Sequence, residues 1–181
     1  MNKNFTSFEL VKNTLLHRES YRIPLDIGGT RVTGIHLNAY REYRKRMGLA
    51  ETCPEMQVRY LQLPNVEEDF RSLFGVDVES ANPYTQAEET SIEEDGGGKS
   101  YYDRWSCKWF MPEGGHYYDI VEFPLAGVES PADLKKVRWP VEDSPAILEC
   151  IKKDADDIVN RRRRALILGR TCPGIYEMLH I

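Results

Sequence analysis

Three groups of residues in this sequence are of types that do chemistry. The first is Asp26 with Gly28, Gly29, Thr30, Arg31 and His36. Asp26 alternates away from Leu25 and Ile27, so in an extended strand its carboxylate leaves the apolar side. A charge so placed needs a ligand, or a structural partner such as an arginine or a backbone amide. Gly28 and Gly29 either let a ligand approach the backbone or make a plain tight turn, the simpler account. His36 opens an amphipathic stretch, where a lone histidine more often packs or caps than ligates.

The second group is Asn82 ahead of Pro83, whose amide either meets a substrate or starts a turn. The third is Thr171, Cys172 and Tyr176, just past an apolar run. As a thiolate, Cys172 would be a nucleophile or a zinc ligand; as a thiol it would be a small core residue. The aromatics Trp105, Trp109, Phe110, Tyr117 and Tyr118 could wall a pocket, pair across strands, or do both.

Positioning these groups takes elements that the spacing predicts. Thr6 and Glu9 form a capping box for a helix over 8–18. Residues 21–27 predict a short strand ending at Gly28, with Pro24 near its start. His36, Tyr40, Tyr43 and Met47 share a helical stripe that Gly48 stops. Asn65 predicts the N-cap of a third helix with Val66, Phe70, Leu73 and Phe74 on its apolar face, ended by Gly75. Residues 76–78 then begin a strand.

The acidic, glycine-rich stretch 84–100 predicts a mobile surface loop. Residues 104–111 and 116–123 flank a Pro-Glu-Gly-Gly turn and predict a β-hairpin. Ser130-Pro131 and Ser144-Pro145 are helix starts. Ile147, Leu148, Ile151, Ala155, Ile158 and Val159 form the second helix's stripe. Arg161 to Arg164 close it as a solvated basic terminus suited to the helix dipole. Residues 165–169 predict a parallel strand buried on both faces. A further helix begins at 173. Short apolar strands alternating with helices predict an α/β fold, with strands 23–27, 76–78 and 165–169 parallel and aimed at one opening.

The bulk numbers narrow the function. A chain of 181 residues with 41% hydrophobic content can bury a core. A net charge of -5 argues against a nucleic-acid-binding module. No apolar run suits a membrane span or a signal peptide. Four scattered cysteines without a Cys-x-x-Cys pair fit a reducing cytoplasm.

Several segments resemble the uroporphyrinogen decarboxylase family, in family order. These are Arg22 to Thr30 with Thr33, Gly34, Ile35, His36, Ala39 and Tyr40; Phe74-Gly75-Val76-Asp77; Asp103-Arg104-Trp105 to Trp109; Tyr117 to Glu122 with Pro124-Leu125; Asp133-Leu134 with Trp139-Pro140; and Leu168-Gly169 to Glu177. The branch most similar is the one related to cobamide-dependent methyltransferases. The resemblance implies a (β/α)8 barrel of which residues 1–181 would be the N-terminal part, with 84–125 as an acidic loop and hairpin insertion. The family's full domain is about twice this long, so this stretch alone is expected to be inactive and prone to aggregate.

The resemblance further implies a small-molecule substrate bound near Asp26, Gly28, Gly29, Thr30, Arg31, His36, Asn82, Trp105, Thr171 and Tyr176. It implies zinc and a corrinoid, with most metal ligands beyond Ile181 and Cys172 a weak candidate, and a corrinoid-binding protein as partner. Two departures weigh against the decarboxylases, which need no cofactor. Their first loop carries several arginines for substrate carboxylates, and here Arg31 stands alone. Their essential aspartate falls where this sequence has Ser80-Ala81-Asn82-Pro83. The remaining alternative is a non-catalytic barrel that binds a small molecule.

Overall fold

The computed structural model describes residues 5–81, 91–94, 96–137, 139 and 144–168. Asn82, Thr171, Cys172, Tyr176 and the helix expected from 173 lie outside them. The chain divides into two compact units. Among the described residues, the first comprises 5–58, 63–81 and 144–168, the second 59–62, 91–94, 96–137 and 139.

In the first unit, helix α1 (Ser7–Leu15) starts at the expected capping box. The Thr6 hydroxyl accepts from the Glu9 amide and Glu9 Oε2 accepts from the Thr6 amide. The helix stops short of Arg18 because His17 turns left-handed at φ 54. Helix α2 (Leu37–Arg46) is capped by His36, whose Nδ1 accepts from the Asn38 amide at 3.2 Å. A short antiparallel pair follows, β1 (Met56–Val58) and β2 (Leu63–Pro64).

Helix α3 (Glu68–Phe74) begins later than its sequence suggests. Asn65 is not its cap: the helix starts at Glu68, so Glu67 takes the N-cap position, without a side-chain cap bond. Gly75 ends the helix in the left-handed conformation. Tyr40, Val66 and Phe70 make the core of this unit, with Ile27, Ile35, Leu49 and Phe74 packed against it. Leu73, expected on the same face, is exposed.

Strand β3 (Val78–Ala81) pairs in parallel with β8 (Ala165–Leu168), Val78 opposite Ala165 and Ala81 opposite Leu168. Two of the three expected parallel strands are therefore neighbours, although β3 begins at the last residue of the expected 76–78. The third expectation is corrected: residues 23–27 form no strand. Pro24 has no N–H to give, and the Leu25 amide donates to the Asp77 side chain instead of a backbone carbonyl. Only the Leu25 carbonyl keeps a ladder-like bond, from the Asp77 amide at 2.8 Å.

Helix α4 (Ser144–Asp156) leads through a π turn (Asp157–Arg161) into β8. Ile158 is fully buried on its stripe, while Leu148 and Val159 are exposed. The expectation that residues 165–169 are covered on both faces is also corrected. Ala165 is buried, but Leu166 and Ile167 are 40% and 36% exposed, since β8 pairs with β3 alone among the described residues.

The second unit is built on a four-stranded antiparallel sheet in chain order: β4 (Glu93–Glu94), β5 (Gly98–Tyr102), β6 (Lys108–Pro112) and β7 (Asp119–Glu122). The hairpin β6–β7 is the expected one. The mobile loop expected over 84–100 is corrected for its described end, which supplies β4 and the start of β5. Gly98 permits β5 to pair closely with β6, because a Cβ there would lie 2.3 Å from the Met111 carbonyl oxygen. Ser130-Pro131 starts only a 3-10 turn (Asp133–Lys136), not a longer helix. Asp133 there accepts from the Ser130 amide and hydroxyl. Helices and sheets are thus mixed, and the described residues contain one parallel pair and no closed barrel.

Candidate functional site

The first-unit candidates converge on a turn beside β3. Gly28 is buried at φ 67, and its amide donates to the Thr33 carbonyl at 2.9 Å. A Cβ on Gly28 would come within 2.2 Å of Val66 Cγ2. One on Gly29 would come within 2.4 Å of Asp26 Oδ1 and 2.8 Å of the Val78 carbonyl oxygen. Gly28 is thus required by its positive φ and by its packing on Val66, and Gly29 by its packing on β3. Thr30 and Arg31 follow as the cap and start of a 3-10 turn (Arg31–Thr33), and His36 serves as the cap of α2.

Asp26 is half-buried in this turn, with Oδ1 accepting from the Gly29 amide at 2.9 Å. Burial raises its carboxyl above the ordinary range, against the opposing pull of the Gly29 amide, the Thr33 hydroxyl and the Arg71 charge. The group can hold a proton more readily than a surface aspartate, which suits a weak acid beside a ligand.

Arg71 joins the turn to a buried charged cluster. Its guanidinium donates to the Gly28 carbonyl at 3.4 Å and pairs with Glu79 of β3, and its Nε is buried with no partner. Glu79 also pairs with Arg162, and with Arg164 at 3.0 Å. Arg164 forks onto Glu68 at 2.6 and 2.7 Å, which holds that carboxyl down at about 2. Glu79 and Arg164 are 4% and 7% exposed. The solvated basic terminus expected at 161–164 is therefore corrected at Arg162 and Arg164, while Arg161 and Arg163 are exposed as expected. Arg163 turns left-handed at φ 57, and Arg162 and Arg164 on either side of it reach Glu79.

A second buried carboxylate, Asp77, anchors the segment before the turn. It accepts from both Arg22 Nη atoms at 2.5 and 2.7 Å, from the Leu25 amide and from the Ser7 hydroxyl. Burial pushes its carboxyl up, but these donors together leave it below the usual range.

Trp105 belongs to the second unit, where Asp103 accepts from the Trp105 and Cys107 amides and from the Trp109 indole. The hairpin aromatics split. Tyr101 packs between Trp109 and Tyr118, while Tyr117 is half exposed. Burial and the neighbouring Asp103 push the Cys107 thiol up to about 12, away from thiolate character.

Among the described residues, no group of three or more His, Cys, Asp or Glu side chains gathers as a metal site. None of their helices is long and apolar enough to cross a membrane. Comparison of the chain with family models, with curated proteins and with solved structures finds no match in any of the three.

Proposed function

We propose that this chain belongs to a uroporphyrinogen decarboxylase-family enzyme of the methyltransferase-like branch, with a (β/α)8 barrel as its fold. Such an enzyme moves a methyl group between a corrinoid, or a methylated small molecule, and a thiol. The reading is supported by the ordered sequence motifs and by one structural observation, the parallel pairing of β3 with β8 that an α/β fold requires. The Asp26–Gly29 turn lies against Val78 of a strand that pairs in parallel with β8. In α/β folds of that kind, ligands bind beyond the carboxyl ends of the parallel strands, and Val78 is the first residue of β3, so the turn's position weighs against the reading. The absence of a strand ladder over 23–27 weighs against it.

In this proposal the turn offers Thr30, Thr33 and the half-buried Asp26 to the substrate, and Arg71 and Glu79 hold it from behind. The described side chains make up no zinc donor set, so no step through zinc or a corrinoid is assigned to them. The proposed setting is cytoplasmic, which the free Cys53, Cys107 and Cys150 suit. Within the loop 28–36 Arg31 is the one arginine, which favours this branch over tetrapyrrole decarboxylation.

The coding sequence past Ile181 is the direct test. Further strand–helix units carrying His and Cys are expected. A stop codon there, or a continuation without those residues, removes the mechanism. If they are present, the encoded protein with zinc and methylcobalamin is expected to methylate a small thiol, followed by loss of the cobalt–carbon absorbance.

A further inference from the structure

The second unit carries a concavity of its own. An open cleft of about 420 Å³ is lined chiefly by Trp105, Pro124, Gly127, Val128, Lys136 and Val137. Asp103 fixes its first wall by gathering the Trp105 and Cys107 amides, and Ser106 turns left-handed at φ 65. The Trp105 indole is left 39% exposed. Two consecutive tight turns, Ala126 amide to Phe123 carbonyl and Val128 amide to Leu125 carbonyl, present Pro124, Gly127 and Val128. The 3-10 turn brings Lys136 and Val137.

The charges in this lining are unequal in what they can still bind. Asp133 is already engaged by the Ser130 amide, the Ser130 hydroxyl and, at 2.7 Å, the Lys136 ammonium. An ammonium has three donors, and one of those on Lys136 goes to Asp133. A cationic ligand would therefore meet a carboxylate whose acceptor sites are mostly taken, and an anionic one would meet an ammonium with two of its three donors to spare. Trp105 favours a ring laid against it, and the volume lies in the range of small-molecule sites.

We propose that this cleft binds a small aromatic carboxylate, its ring against Trp105 and the Val128 and Val137 side chains, and its carboxylate on Lys136. The site is built from residues 105–137 alone, so its test does not depend on the family reading. Equilibrium dialysis of the 181-residue protein against radiolabelled benzoate, with benzyl alcohol and benzylamine as neutral and cationic counterparts, measures it. Saturable benzoate binding is expected. Lys136→Gln should weaken benzoate about fivefold, the worth of one exposed ion pair, and leave benzyl alcohol unchanged. Val128→Trp should fill the cleft and weaken both, with circular dichroism checking that each variant stays folded. Lack of saturable benzoate binding, benzylamine binding as tight as benzoate, or Lys136→Gln binding benzoate as tightly as the parent would each overturn the proposal.

Discussion

At the scale of single residues, the candidate turn is governed by two contacts that leave no room. Gly29→Ala places a methyl group against a backbone carbonyl of β3 and against the Asp26 carboxylate. Neither the strand nor the Asx-like bond from the Gly29 amide can yield without loss. A destabilisation of about 1–3 kcal/mol is expected, read as a lower urea midpoint at unchanged slope. Asp26 makes an opposite demand. Its folded pKa lies above that of the unfolded chain, about 3.9. Its proton-linked stabilisation is therefore complete below that value and is lost as pH rises through the folded pKa. An asparagine in its place would mimic the protonated form and still accept from the Gly29 amide. Relative to the parent, Asp26→Asn should thus be more stable at pH 7 than at pH 3, and equal differences at the two pH values would refute the burial argument. The glycine turn and the capping role of His36 were legible in the sequence because both are settled within a few residues. The Glu79 cluster was not: Glu79 and Arg164 stand 85 positions apart, and neither has a local pattern that announces the other.

At the scale of elements, that cluster ties α3, β3 and the entry to β8 together. Three guanidinium groups meet one buried carboxylate; Arg164 keeps Glu68 and Arg162 keeps Asp157, so removing its charge chiefly leaves Arg71 without a carboxylate partner in a poorly hydrated place. Glu79→Gln should cost on the order of 3 kcal/mol. Glu42→Gln, which breaks the exposed pair with Arg46 in α2, should leave stability almost unchanged. Thermal or urea unfolding of the two variants side by side is the measurement, and similar losses would show Glu79 to be a dispensable surface-type pair. The cap of α2 supports a third comparison. A carboxylate accepts the Asn38 amide as well as an imidazole does and also suits the helix N-terminus. His36→Asp should raise stability by about 0.5 kcal/mol, whereas a drop would mean that His36 has a structural role beyond its cap. Helix starts were readable where side chain and amide lie three residues apart. The segment 23–27 misled because its pattern is strand-like, while its hydrogen-bond partner is a side chain 52 positions downstream.

At the scale of the whole molecule, the parallel pair β3–β8 is the feature with the largest consequence. An all-apolar strand such as Ala165-Leu166-Ile167-Leu168 is suited to cover on both faces and neighbours on both edges. Among the described residues it has β3 on one edge, and Leu166 and Ile167 remain open to solvent. Exposed, uncharged strand edges pair with other chains unless a charge or a bulge blunts them. The 181-residue protein should therefore self-associate in a concentration-dependent manner in sedimentation velocity. Because Leu166 and Ile167 are exposed, lysine at either position should leave the fold intact while breaking the contact. Leu166→Lys or Ile167→Lys is expected to shift the distribution toward monomer, with Val121→Lys on the exposed face of β7 as the control that does not. A parent chain that stays monomeric across that range would mean that β8 is already covered. The parallel pair would then be part of a finished surface, and the barrel proposed above would lose its physical motive.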